Sequence, residues 1–185
     1  MVKKNACVFI SGAGTNLESL ILSSRTYNFP VNIKLIISNK KNARGIIYAK
    51  KFKIPYIVID TQNSLFEKRL LNEINKKKIS LICLAGYMKI LSKNFINNYN
   101  GKIINIHPSL LPKYKGTNTF KRILKNREIM TGCTVHYVNN KLDSGKIIIK
   151  KKFILSHDDN EKSLKKKTQI LEYRAFSEAI NKIYR

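Results

Sequence analysis

The chain has 185 residues, with 36 Lys and Arg against 11 Asp and Glu and a formal net charge of +25. A single domain over residues 1–185 is expected, and a chain of that size buries about 70% of its unfolded surface, so neither a disulfide nor a structural metal is needed to hold it. Cys7, Cys83 and Cys133 are too far apart for a disulfide framework or a zinc knuckle and read as buried thiols in a reducing compartment.

The apolar run after Lys3-Lys4 is too short for a signal peptide, and no run is long enough to cross a bilayer, so a cytoplasmic protein without a membrane partner is expected. Clustered cations would point to nucleic acid, because they neutralise phosphates and release counterions. Here the lysines are spread along the chain, and Asn and Ile, which share A/T-rich codons, are also abundant. Codon bias is the preferred reading, with no specific nucleic-acid partner. An anion- or nucleic-acid-binding domain stays open as the competing non-enzyme reading, and Lys76-Lys77-Lys78 and Lys165-Lys166-Lys167 read as solvated faces or helix ends.

In chain order, Ala6–Ile10 reads as a strand, stopped by Ser11-Gly12-Ala13-Gly14-Thr15-Asn16, after which Leu17, Leu20 and Ile21 recur at helical spacing. A strand, a glycine loop and a helix start suit an anion, since first-turn N–H groups and the helix dipole face it. A dinucleotide fingerprint fails here: its third glycine position holds Leu17, and Ser38-Asn39-Lys40 stands where an acidic residue would follow the second strand. A single phosphate is preferred, although the glycine pattern alone fits a purely structural turn equally well.

Asn32–Ser38 reads as a strand, Ala43–Phe52 as a helix and Tyr56–Ile59 as a strand; Ser64 and Glu67 form a capping box for a helix ending near Lys77. Leu81–Ala85 is apolar without alternation, as in a central strand covered on both faces. The alternation predicts an α/β fold, a Rossmann-like, mostly parallel twisted sheet with helices on both faces, with ligands beyond the carboxyl ends of the strands. Loops 11–16, 86–91 and 105–116 lie at such ends and are expected to share a cleft.

Lys102–Ile104 continues as a strand, and Pro108 and Pro112 forbid either strand or helix from running on through the next stretch. A rigid loop is expected to carry Asn105 and His107, whose side chains point the same way because direction alternates with period two. An amide and an imidazole on one side suit an oxygen that gains charge during a reaction. Asp143, in Leu142-Asp143-Ser144-Gly145, supplies a carboxylate. A helix over Thr119–Asn126, a strand over Gly132–Val138, an Asn139-Asn140 turn and a strand over Ile147–Phe153 make a hairpin-like pair. The last helix, about Glu161–Tyr184, is capped by Asn160 or Ser163 and buries Leu164, Ile170, Leu171, Ala175 and Ile180. His136, mid-strand, reads as a packed or cleft-lining histidine. His157 beside Asp158-Asp159 lacks further ligands for a metal.

Asn105, His107, the Pro108-Ser109-Leu110-Leu111-Pro112 run and Leu142-Asp143-x-Gly145 resemble the signature of the folate-dependent formyltransferases, and most closely the phosphoribosylglycinamide formyltransferases of purine biosynthesis. The resemblance implies Asn105, His107 and Asp143 as the catalytic trio. It implies Gly14, Thr15 and Asn16 on the substrate phosphate and Glu172 on the glycinamide. Met88, Lys89, Ile90 and Leu91, with Asn139, Asn140, Lys141 and Leu142, would line the folate pocket, so the amino-terminal half would bind the phosphorylated substrate and the carboxy-terminal half would bind folate and carry catalysis. The co-substrate would be 10-formyltetrahydrofolate, no metal would be required, and a homodimer is left open. Thr117-Asn118-Thr119-Phe120 departs from the Leu-His-Thr-His common in the family, Tyr173 replaces a usual histidine, and an arginine expected near Gln62-Asn63 is missing. Methionyl-tRNA formyltransferases, which share two of the motifs, carry a further carboxy-terminal domain and a different first loop. Formyltetrahydrofolate deformylases usually have a second histidine at the position of Pro108.

Overall fold

The structure is a computed structural model that describes residues 2–59 and 65–184. The chain divides into two compact units, Met1–Ile104 with Tyr184–Arg185, and Asn105–Ile183. The division falls inside a strand.

The first unit carries β1 (Lys4–Ile10), α1 (Thr15–Ser24), β2 (Val31–Ser38), α2 (Ile46–Lys51), β3 (Tyr56–Val58), α3 (Phe66–Lys76), β4 (Ile79–Leu84) and α4 (Lys93–Asn98), then opens β5 (Lys102–His107). Its strands run in the order β3-β2-β1-β4, parallel throughout, with Val8 opposite Ile36 on one side and Cys83 on the other. β1 is therefore central, and Cys7, Val8, Phe9 and Ile10 are fully buried. Each such side chain contributes about 1.5–3 kcal/mol by leaving water, which is why an apolar run without alternation settles in the middle of the sheet rather than at an edge.

The second unit carries the end of β5, then α5 (Thr119–Lys125), β6 (Met130–Tyr137), β7 (Ile147–Ile154) and α6 (Glu161–Tyr184). β6 and β7 pair antiparallel, as the hairpin reading expected. Asn160 caps α6: its Oδ1 accepts from the N–H groups of Lys162 and Ser163 at 3.0 and 3.1 Å, and Ser163 Oγ accepts from the Asn160 N–H at 3.0 Å. Both expected caps thus work as one reciprocal box.

Several sequence expectations change. Asn105 and His107 are the last residues of β5 rather than part of the loop, which starts at Pro108. α2 is shorter than Ala43–Phe52, because the turn before it is taken up in holding the first loop: Gly45 N–H donates to Gly12 O at 2.9 Å. α4 was not foreseen, since it is polar and buries Phe95 alone. In α6 the buried face is Leu164, Thr168, Ala175, Phe176, Ala179 and Ile180, while Ile170 is half exposed. Six residues beyond Leu164, Ile170 is rotated far off that face at 3.6 residues per turn. Ser64, the expected cap of α3, and the Gln62-Asn63 stretch lie outside the described residues; Glu67 accepts from the backbone N–H and hydroxyl of Ser92.

Candidate active site

In the first unit, β1 ends in the glycine loop. Gly14 sits at φ +74° as the residue before α1, a conformation that suits glycine. A Cβ there would lie 2.5 Å from Gly45 Cα, and one on Gly45 would meet Gly14 Cα at 2.9 Å, so two glycines let the loops at the ends of β1 and β2 touch backbone to backbone. The helical ladder opens with Glu18 N–H to Gly14 O at 2.9 Å, and the N–H groups ahead of it point out of the α1 terminus with the dipole. Ser11 fastens this corner. Its hydroxyl donates to Asn39 Oδ1 at 2.6 Å and accepts from Met88 N–H at 2.8 Å, joining the loops after β1, β2 and β4. Of the residues assigned to this unit, Gly14 and Asn16 are buried and Thr15 is half-buried. Met88 and Ile90 stand out at 70% and 72% exposure, Lys89 is half-buried and Leu91 is packed inside.

In the second unit, Asn105, His107 and Asp143 converge, and His136 joins them. Asp143 Oδ2 accepts from Gly116 N–H at 2.8 Å and lies 3.3 Å from His107 Nδ1. Its Oδ1 is 3.5 Å from Asn105 Nδ2 and 3.6 Å from His136 Nε2. His107 Nε2 donates to Tyr114 O at 2.8 Å. The loop that carries Tyr114 and Gly116 is pinned to β6, where Thr134 Oγ1 donates to Ser109 O at 2.7 Å and accepts from Leu111 N–H at 3.1 Å. Lys115 Nζ donates to Ser144 Oγ at 2.6 Å and so ties the same loop to the turn bearing Asp143.

Burial is the largest influence on His107 and holds its pKa below the ordinary histidine value, against the raising effects of the Tyr114 carbonyl and the Asp143 carboxylate. Asp143 does favour the imidazolium, but desolvation of a ring only 5% exposed outweighs it. For Asp143 burial is again the largest single influence and raises the pKa. His136, the hydrogen bond from Gly116 and the charge of His107 together outweigh it, so the carboxyl lies below its usual range.

His136, which the sequence left as a packed or cleft-lining histidine, takes part in the group. The signal was present: Thr134 and His136 alternate at period two around Val135 and are 0% and 2% exposed, so two buried polar side chains share one face and need partners. Elsewhere in this unit, Asn139 Oδ1 accepts from Lys141 N–H at 3.0 Å, closing the turn before Asp143. Lys141 and Leu142 are exposed at that turn. Glu172 lies on α6, and its charge acts on the Cys133 thiol, which is pushed up to about 12, by burial first and by Glu172 next. Among the described residues no group of three or more His, Cys, Asp or Glu is arranged to hold a metal ion, and no helix is long and apolar enough to cross a membrane.

The profile of the Formyl transferase family matches residues 4–180. This chain belongs to the formyl transferase family. Phosphoribosylglycinamide formyltransferase of Haemophilus influenzae is 38% identical over 177 residues, 94% of this formyl transferase and 84% of that protein. The crystal structure of phosphoribosylglycinamide formyltransferase from Brucella melitensis superposes with a TM-score of 0.93 at 34% identity, covering 98% of this chain and 96% of that one. Trifunctional purine biosynthetic protein adenosine-3 of Chironomus tentans is 39% identical over 184 residues, 96% of this chain. This formyl transferase spans 13% of that protein's length and 18% of its Gallus gallus counterpart.

Proposed function

We propose that the protein transfers the formyl group of 10-formyltetrahydrofolate to the primary amine of 5'-phosphoribosylglycinamide, giving the N-formyl product and tetrahydrofolate in purine biosynthesis. The observation that carries this reading is the convergence of Asn105, His107 and Asp143 in a chain of the formyl transferase family. Gly14, Thr15 and Asn16 hold the substrate phosphate at the α1 terminus, Glu172 contacts the glycinamide, and residues 88–91 and 139–142 contact the folate within a single functional domain. Three buried free thiols suit a reducing, cytoplasmic setting. The partners are the two small substrates, and a homodimer is compatible with the reading.

The amine nitrogen attacks the formyl carbon, a carbon–nitrogen bond forms, and the carbonyl oxygen becomes an oxyanion. Asn105 donates to it through Nδ2, and His107 donates through Nδ1 in its imidazolium form, because the Nε2–H is already held by Tyr114 O. Their present contacts to Asp143, at 3.5 and 3.3 Å, are long, as catalytic hydrogen bonds often are before a ligand arrives. Asp143 accepts the amine proton, and its neutralised carboxyl then competes less for those donors. Losing one oxyanion donor typically lowers the rate by about 10²–10³. Asp143 returns the proton, directly or through water, to N10 as the bond from the formyl carbon to N10 breaks.

The test mixes protein and 10-formyltetrahydrofolate with phosphoribosylglycinamide, with aminoacyl-tRNA or with buffer alone, following the folate by absorbance and the acceptor by mass. Formylation of phosphoribosylglycinamide alone is expected. Free formate without formylated acceptor, or formylation of the tRNA instead, would refute the reading.

A further inference from the structure

His136 Nδ1 lies 2.8 Å from Tyr137 O. A carbonyl only accepts, so the proton of this contact sits on Nδ1. The other ring nitrogen, Nε2, lies 3.2 Å from Asn105 Nδ2. Which way round the Asn105 amide sits is decided by a second neighbour. Asp143 Oδ1 is 3.5 Å from the same Asn105 nitrogen, and a reversed amide would bring its oxygen toward that carboxylate instead. The NH2 group therefore faces both His136 and Asp143, and Nε2 accepts from it; Asp143 Oδ1, 3.6 Å from Nε2, is beyond hydrogen-bond reach of the ring. The ring is held in one tautomer, Nδ1–H, by a backbone carbonyl one residue away.

We propose that His136 is a positioning residue for Asn105: its Nε2 lone pair takes one of the two amide hydrogens, fixes the orientation of the amide, and leaves the second hydrogen for the oxyanion. This rests on the formyl-transfer reading for its catalytic consequence, while the tautomer and the amide orientation stand on geometry alone. The two Asn105 contacts differ in length in the direction the role requires. The shorter one, to His136 at 3.2 Å, anchors the amide, and the longer one, to Asp143 at 3.5 Å, is the one exchanged for a ligand. His136 is 2% exposed, so no water replaces it as an acceptor without a cavity. Without the ring, the amide is free to turn its carbonyl oxygen toward the reacting oxygen, where it repels rather than stabilises.

Two measurements test this. Nitrogen-15 spectra of histidine-labelled protein, with the His136 signal assigned by its loss in His136→Gln, should show protonated Nδ1 and bare Nε2. Kinetics of two variants should separate acceptor from filler. His136→Phe keeps the volume and removes the lone pair; it should lower kcat about 10- to 100-fold, the scale of a misplaced catalytic group, with KM for both substrates within about twofold. In His136→Gln the amide oxygen reaches the place of Nε2, and most of kcat should return. A protonated Nε2, an unchanged kcat in His136→Phe, or a His136→Gln variant as slow as His136→Phe with an unchanged melting temperature would each overturn the proposal. If the wild type shows the expected tautomer but transfers no formyl group, the functional reading fails and the orientation of Asn105 by His136 does not.

Discussion

Asp143 is held at φ +46°, in the left-handed region, where a residue other than glycine costs of the order of 1–3 kcal/mol and persists only when its surroundings fix it. The Gly116 N–H, His107, Asn105 and His136 are those surroundings. Their titration gives a prediction. Burial holds His107 below its ordinary value, so between the folded and unfolded values the unfolded chain binds more protons, and stability rises with pH. This contribution is complete above about pH 6.5 and is lost as pH falls toward the depressed value. Asp143, also lowered, acts in the same direction at more acidic pH, its contribution lost as pH falls through its own depressed value. Thermal melts between about pH 8 and about pH 5 should show the wild type losing stability on acidification and His107→Asn losing less. A flat wild-type curve, or a variant with the full slope, would contradict the assignment. Asn105, His107 and Asp143 were legible because each stands in a short motif with prolines or glycine around it. The role of His136 was not, because its alternation with Thr134 marks a shared face without saying what that face meets, and its partners come from residues 31 and 7 positions away.

At the scale of elements, the loop after β5 keeps its shape through β6. Thr134, fully buried, satisfies one backbone donor and one backbone acceptor of that loop. Thr134→Val preserves shape and removes both bonds, and leaving buried groups unpaired costs about 1–3 kcal/mol. Urea unfolding should show that loss as a lower midpoint with an unchanged slope; an unchanged midpoint would mean the loop is held by other contacts. The strands and the long helices were legible from sequence because their apolar runs are long and bounded by glycine, proline or capping residues. α4 was hidden because its single buried side chain leaves no periodicity to read, although Ser92, which accepts from Phe95 N–H at 2.9 Å, was a visible start signal. α2 was overextended because periodicity cannot tell that a turn's backbone is already bonded to a loop more than 30 residues earlier.

At the scale of the molecule, the +25 charge has a partial structural explanation. β7 is the last strand in the order and carries Lys150, Lys151 and Lys152; lysines on an edge strand discourage pairing with another chain. The proposed phosphate loop lies in the first unit and the proposed catalytic group in the second. The most direct test of the functional reading is a carbon-13 measurement of formyl transfer. Protein, phosphoribosylglycinamide and 10-formyltetrahydrofolate labelled in the formyl carbon are followed by NMR, with the wild type beside Asp143→Asn. The label should move to the glycinamide amine in the wild type, and at least about 10²-fold more slowly in the variant, the range for losing a general acid–base group. Label released as formate, or an Asp143→Asn variant as fast as the wild type, would contradict the account.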